Sequence, residues 1–489
     1  MKEINNIDEA MDIRNTSISL NRRVAFLTLG CKVNSYETDA MKKLFEDAGC
    51  EIKEFHEEAD IYVINTCTVT NIADRKSRQM LHKAKKNNEN AIVVAAGCYV
   101  QAAKDTLEAD EMIDVVVGNN QKSYIVDILH GYIENKLNNQ AIIDIDRESE
   151  YEELRIESMG EKTRAYIKIQ DGCNQFCSYC IIPYARGRVR SRKKEEITGE
   201  VKRLVEKGYK EIVLTGIHLS SYGIDFNKAS QQVTSEETNQ ITNQETSYNS
   251  TLETMDYNKN ESDLLNLICE ISMVEGIERI RLGSLEPRII TEEFAKTLSE
   301  NKKFCPHFHL SLQSGCNNTL KRMNRKYTKE EYFEKCELLR KYFEHPAITT
   351  DVIVGFPGET IEDFIDSKNF LEEVSFAQMH IFKYSKRKGT KAELMPNQVD
   401  DKIKHERSNE LIELESNLRN NYQDYFIGKT QNLLVEEEVT IDDVKYQIGH
   451  NERYVKLGIP NDKDYSNQII RVKVTGERKN DILLCEIID

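Results

Sequence analysis

The ten residues DGCNQFCSYC, Asp171 to Cys180, set three cysteines at C-x3-C-x2-C. They follow directly on AYIKIQ (Ala165–Gln170), an apolar run that reads as a β-strand. Five similar runs come after it, EIVLTG, RIRLGS, FHLSLQ, TTDVIVGF and FAQMHIFKY, with helical patterns between them. Six strands alternating with helices over 159–421 predict a partial α/β barrel, whose functional loops stand at the C-terminal ends of the strands. The triplet therefore falls at the barrel mouth. Three thiolates can hold three irons of a 4Fe-4S cube and leave the fourth iron open to a small molecule. Omitting the fourth cysteine makes a reaction site. A zinc ion completed by a distant ligand is the competing reading.

Upstream, VAFLTL, DIYVINT and AIVVAAG read as buried strands, each followed by a helical pattern. They predict a parallel-sheet α/β domain over 22–135, preceded by an extension over 1–21. Cys31 in TLGCKVNSYET, Cys67 in INTCTVT and Cys98 in AAGCYVQ each come just after one of these strands. Open α/β sheets present ligands at the carboxyl ends of their strands, so the three distant thiols are expected to converge on a second three-cysteine cluster. Cys50, Cys269, Cys305, Cys316, Cys336 and Cys485 have mostly apolar or helical surroundings and read as small buried hydrophobes or incidental thiols.

Residues 136–158 read as a charged linker. Residues 227–262 are rich in Asn, Gln, Ser and Thr and read as a disordered insert in the barrel. Over 424–489 the runs QNLLVEEEV, RYVKLGI, QIIRVKVTGER and DILLCEII follow closely with no helix between them. They predict a small all-β barrel, a form that often binds oligonucleotides.

No apolar run approaches the roughly 18 residues that a membrane span needs, which points to a cytoplasmic protein. Twelve cysteines there argue for metal binding or catalysis over disulfides. The net charge of −16 looks unsuited to nucleic acid, but its distribution is uneven. ARGRVRSRKK (Ala185–Lys194), KRMNRK (Lys321–Lys326) and KYSKRKGTK (Lys383–Lys391) form basic runs near the motifs. One such run reads as a solvated face; three together favour an anionic substrate.

The C-x3-C-x2-C spacing resembles the radical S-adenosylmethionine (SAM) superfamily. Two cysteine triplets followed by a terminal β-barrel resemble the methylthiotransferase family over about 22–489. The words TLGCKVNSYET, DGCNQFCSYCIIPYARGRVRSR, FHLSLQSGC and GHNERYVKLGI are similar to its bacterial branch acting on N6-threonylcarbamoyladenosine in tRNA. The resemblance implies two 4Fe-4S clusters, one on Cys173, Cys177 and Cys180 and one on Cys31, Cys67 and Cys98. It implies SAM as both methyl donor and source of a 5′-deoxyadenosyl radical. Position 37, next to the anticodon, would receive a 2-methylthio group. The implied partners are the tRNA anticodon loop and a flavodoxin- or ferredoxin-like electron donor. The chain would be a monomer with a TRAM-like C-terminal domain.

The same resemblance puts Gly216, in LTGIHLSSYG, beside the methionine part of SAM, where a glycine lets the backbone come close. Ser284 and Glu286 in LGSLEP, and Gln313 in HLSLQSG, would line the pocket, with Gly355 of DVIVGFPGE under the adenine ring. The chain departs from the family at SKRKGTK, where Lys386, Lys388 and Lys391 stand in a segment often carrying prolines. The alternatives are a methylthiotransferase acting on isopentenyladenosine tRNA or on a ribosomal protein side chain, and a non-enzymatic iron-sulfur RNA-binding protein.

Overall fold

The computed structural model describes residues 19–103, 107, 110–134, 140–156, 163–226 and 257–488. The extension over 1–18 and most of the expected insert, 227–256, lie outside the described residues. Residues 257–262, assigned to that insert from composition, instead open the helix Tyr257–Ser272.

Near the N-terminus, β1 (Arg23–Thr28), β2 (Glu51–Lys53), β3 (Ile61–Thr66), β4 (Ile92–Gly97), β5 (Val115–Val117) and β6 (Gln140–Ala141) form one parallel sheet. Its order is β2-β1-β3-β4-β5-β6. Side chains alternate between faces, so Tyr62 and Ile64 of β3 enter one apolar cluster while Ile61 and Val63 enter another. Both faces are covered, which is why these strands read as unbroken apolar runs. β6 lies in what sequence alone assigned to the linker. It pairs through Val116↔Gln140 and Val117↔Ala141, so the sheet extends past residue 135.

The central region carries β7 (Arg164–Asp171), β8 (Arg190–Ser191), β9 (Glu211–Gly216), β10 (Arg279–Leu282), β11 (Ser284–Leu285), β12 (His307–Leu310), β13 (Ala347–Val354) and β14 (Gln378–Lys383). These make two ladders, β10-β9-β7-β8 and β11-β12-β13-β14, parallel except for β8. On β7, Ala165, Ile167 and Ile169 pack into the main apolar core. Arg164, Tyr166, Lys168 and Gln170 take the opposite face. Lys32 of the N-terminal domain lies 5.6 Å from the Tyr166 ring on β7. β10 and β12 adjoin, which joins the two ladders.

The helix Asp401–Asp424 leads into β15 (Thr430–Ile441), β16 (Val444–His450), β17 (Lys456–Pro460), β18 (Ile469–Lys479) and β19 (Ile482–Ile487), which close as β15-β16-β17-β19-β18. This small barrel meets the N-terminal ends of the central strands. Arg279 donates to the His450 carbonyl at 3.0 Å, Arg281 to that of Glu452 at 3.0 Å, and Arg164 pairs with Glu436 at 2.8 Å. Among the described residues, no helix is long and apolar enough to cross a membrane.

Candidate iron-sulfur sites

β1, β3 and β4 are neighbours in the N-terminal sheet, and Cys31, Cys67 and Cys98 follow their carboxyl ends. Asn34 ties two of these ends together. Its amide donates to the Leu29 carbonyl at 2.7 Å and to that of Thr66 at 3.0 Å. Gly30, at φ +105°, lies so near Cys67 that a Cβ there would stand 2.9 Å from the Cys67 sulfur. Cys31 caps the helix Lys32–Asp47, and Cys98 begins the helix Cys98–Ala102. Burial pushes the Cys31 thiol up and carries that of Cys67 to about 11.

The second site follows β7. Its loop is pinned from several sides: Ser178 N–H donates to the Met323 carbonyl at 3.0 Å, and Asn324 donates to that of Phe176 at 3.0 Å. Gly172, at φ +70°, is required because any Cβ would run into the Arg188 carbonyl. Burial carries the Cys173 thiol to about 12 and also raises Cys180. Arg325 donates to the Cys177 sulfur at 3.4 Å. These burial-disfavoured thiolates need a compensating cation, which bound iron supplies.

Sulfur spacing bears on which metal fits. A tetrahedral zinc ion with bonds of about 2.3 Å needs its ligand atoms roughly 3.8 Å apart. Among the described residues, only His309, Asp351 and His380 bring three ligand atoms within 4.8 Å of one another. Neither cysteine triplet is among such groups in the described residues.

The predicted SAM residues differ in how they are engaged. Glu286 is buried, its Oε1 accepting from Arg288 Nε at 2.7 Å and its Oε2 unpartnered among the described residues. His218, two residues past Gly216, leaves Nε2 unpartnered, while Nδ1 meets Ser221 Oγ at 2.7 Å. Two orphaned buried atoms near the cysteine loop suit a polar ligand. Gln313 adopts φ +75°, rare for a residue with a side chain, where the chain crosses from β12 to β13. Ser284 is exposed. Gly216 is packed against Gln170 and Leu219. At Gly355 the Cβ direction is filled by Lys404, and the amide donates to Glu359 Oε1 at 2.9 Å. Helix packing gives that glycine a reason of its own.

Part of the basic runs is buried and paired within the protein and does not face an anionic substrate. Arg186, Arg190 and Arg192 are fully buried. Arg186 Nη1 bridges Glu37 at 2.8 Å and Asp171 at 3.0 Å, Nη2 reaches Asn34 Oδ1 at 2.7 Å, and Nε meets the Cys98 sulfur at 3.2 Å. Lys122 and Lys168 complete the ring about Glu37, each at 2.8 Å. Arg192 pairs with Glu200 and Glu153. In the third run, Arg387 is buried against Asp74 at 2.6 Å. Lys383, Lys386, Lys388 and Lys391 stay exposed. Arg186 and Arg387 are the buried arginines here that join the N-terminal sheet domain to the barrel. Sequence reasoning gave no role to Arg186, His218 or Arg325; only Arg186, six residues past Cys180, stands close to a cluster cysteine in sequence.

Between the two sites, Cys31 and Lys32 are solvent-accessible, yet burial holds the Lys32 ammonium below its ordinary pKa. His307 and His309 on β12, Asp351 on β13 and His380 on β14 bring further polar groups together, with His309 Nε2 3.3 Å from Asp351.

Two three-cysteine groups that follow strand ends, one of them after the first strand of an α/β barrel, fit the class of radical SAM proteins. The Radical SAM superfamily model matches residues 167–371, and an uncharacterized protein family, UPF0004, matches residues 23–118. The threonylcarbamoyladenosine tRNA methylthiotransferase MtaB of Bacillus subtilis (strain 168) is 39% identical over 453 residues, covering 92% of this chain and 93% of that protein. Its namesake from Aquifex aeolicus (strain VF5) is 40% identical, covering 89% and 98%. A tRNA-2-methylthio-N(6)-dimethylallyladenosine synthase of Finegoldia magna is 32% identical, covering 92% and 91%. The chain belongs to the methylthiotransferase family of radical SAM enzymes, which work with SAM and two 4Fe-4S clusters.

Proposed function

We propose that the protein converts N6-threonylcarbamoyladenosine at position 37 of tRNA to its 2-methylthio derivative. The single observation carrying this is the pair of three-cysteine groups on separate domains, with Arg186 reaching from Asp171, two residues before Cys173, to the Cys98 sulfur. The names of the B. subtilis and A. aeolicus relatives support the choice of base.

Carbon 2 of adenine has neither a leaving group nor an acidic proton, so acid-base catalysis alone cannot functionalise it. The clusters supply, when bound, the electron that cleaves SAM and the place where sulfur is held. The chain's own part is to hold and orient. Cys173, Cys177 and Cys180 hold the radical-generating cluster; Gly216, Ser284, Glu286, Gln313 and Gly355 form the surroundings of SAM. Glu286 and His218 offer the unsatisfied polar atoms there. Cys31, Cys67 and Cys98 hold the sulfur-handling cluster, with Arg186 behind it. The C-terminal barrel, read as TRAM-like, and the exposed lysines of 383–391 meet the anticodon stem-loop. A flavodoxin- or ferredoxin-like protein provides electrons to a cytoplasmic monomer.

Nucleoside mass analysis of tRNA from cells with and without the gene tests the reading. The 2-methylthio derivative of threonylcarbamoyladenosine should vanish on deletion. Loss of the methylthiolated isopentenyl nucleoside instead, or no change in tRNA, would overturn it.

A further inference from the structure

Three cations surround the Tyr454 ring. Arg164 lies 5.0 Å from its centroid, Arg281 4.9 Å and Lys32 6.0 Å. The first two are neutralised: Arg164 pairs with Glu436 at 2.8 Å and Arg281 with Glu211 at 2.8 Å. Lys32 has no carboxylate in ion-pair distance among the described residues. Its ammonium instead stands 5.6 Å from the Tyr166 ring. An exposed cation held beside two aromatic rings, with no counterion, is open to a ligand that brings a negative charge.

Its position says which ligand. Lys32 directly follows Cys31 at the start of the helix Lys32–Asp47. A base presenting carbon 2 to that cysteine site carries its N6 substituent across the same small ring. The substituent must therefore pass within a lysine side chain's reach. A threonylcarbamoyl arm ends in a carboxylate; a dimethylallyl arm ends in methyl groups and would leave the ammonium unpaired. Resting on the function proposed above, we infer that Lys32 is the specificity-determining residue of this site, its ammonium receiving the carboxylate of the threonylcarbamoyl arm. Lys32 is thus a substrate-binding group, separate from the cluster ligands.

The test uses intact protein with both clusters and two anticodon stem-loop RNAs, one bearing threonylcarbamoyladenosine and one with the threonine carboxylate converted to its amide. Unaltered protein should lose about tenfold to a hundredfold in kcat/KM on the amide, the range for a hydrogen bond between charged partners. Lys32→Gln should show a similar loss on the acid and almost no further loss on the amide. Lys32→Arg should restore most of the preference for the acid. Iron content and SAM cleavage without RNA separate cluster damage from lost recognition. Should Lys32→Gln lose iron, the acid-to-amide ratio of Lys32→Arg against unaltered protein decides, and a ratio near one in both overturns the inference. Equal use of acid and amide by unaltered protein, or undiminished acid preference in cluster-loaded Lys32→Gln, also overturns it. No methylthiolation of the acid RNA by unaltered, cluster-loaded protein would instead sink the function proposed above, and this inference with it.

Discussion

The Nε of Arg186, a residue of the barrel, lies 3.2 Å from the sulfur of Cys98 at the end of a strand in the N-terminal sheet. The same guanidinium holds Glu37 of that sheet domain and Asp171 of the barrel. A single side chain thus joins the two domains and places a positive charge behind one cluster site. Burial would raise the Glu37 carboxyl, but Arg186, Lys122 and Lys168 together hold it well below its ordinary range.

Replacing Arg186 by Met should therefore do two things. It leaves Glu37 and Asp171 short of a buried partner, at a cost of about 3–5 kcal/mol. It also strips Cys98 of its cation, so iron should fall toward half while the Cys173 site stays loaded. Arg186→Lys should be intermediate, because an ammonium cannot serve both carboxylates and the sulfur in one plane. Iron analysis and anaerobic urea unfolding measure both effects; full iron and unchanged stability in Arg186→Met would refute the assignment.

Arg325 plays the matching part at the other site. It meets the Cys177 sulfur at 3.4 Å, the Ser311 carbonyl at 2.8 Å and the Tyr327 hydroxyl at 2.9 Å. A nearby cation favours the state with the extra electron. Arg325→Gln should keep its iron yet show a more negative reduction potential and slower SAM cleavage. An anaerobic redox titration decides it, and an unshifted potential would remove the electrostatic role.

How much of this was legible beforehand follows from the kind of signal each feature left. The six cysteines could be read because their spacing and their places after strands are local properties of the chain. Buried strands such as β3 and β4 betray themselves by unbroken apolar runs. The charge of Arg186, Arg190 and Arg192 is ambiguous in sequence because composition cannot tell a solvated cation from a buried, paired one. Glu37, which pairs with Arg186, and Glu153, which pairs with Arg192, stand far from them along the chain. β6 was missed for a similar reason: a two-residue edge strand has too few residues to show a period.

Acid should destabilise the protein well before its carboxylates titrate. Burial drives the His218 imidazole down to about 3 and holds His307 well below its ordinary value. The folded state thus keeps both neutral, whereas the unfolded chain takes up protons below about pH 6.5. Stability is complete above that pH and falls as pH drops toward 4, by about 1 kcal/mol per histidine over the first unit. Below roughly 4, protonation of Glu37 and Asp171 adds a further loss. Anaerobic unfolding at pH 7.5 and 5.5 should show this decline, and His307→Gln should flatten it. An identical decline in that variant would remove His307 from the account.

The RNA-binding role of the C-terminal barrel needs a gentler probe than deletion. Removing residues 427–489 would strand Arg164, Arg279 and Arg281, which bond to Glu436, His450 and Glu452 across the interface. Arg453 is committed as well, donating to the His345 carbonyl at 3.0 Å, and Lys456 pairs with Asp481. Lys429, Arg471 and Lys473 are the exposed cations on adjoining strands, with Lys473 opposite Thr430 and Arg471 opposite Asn432. Changing these three to Glu should weaken tRNA binding by about tenfold or more at low salt and reduce its salt dependence. SAM cleavage without RNA should be unchanged, since the strands carrying these residues lie at the far end of the barrel from Cys173. Filter binding across a salt series makes the comparison. An unchanged affinity and slope would move the RNA contact to the exposed lysines of 383–391 at the barrel mouth.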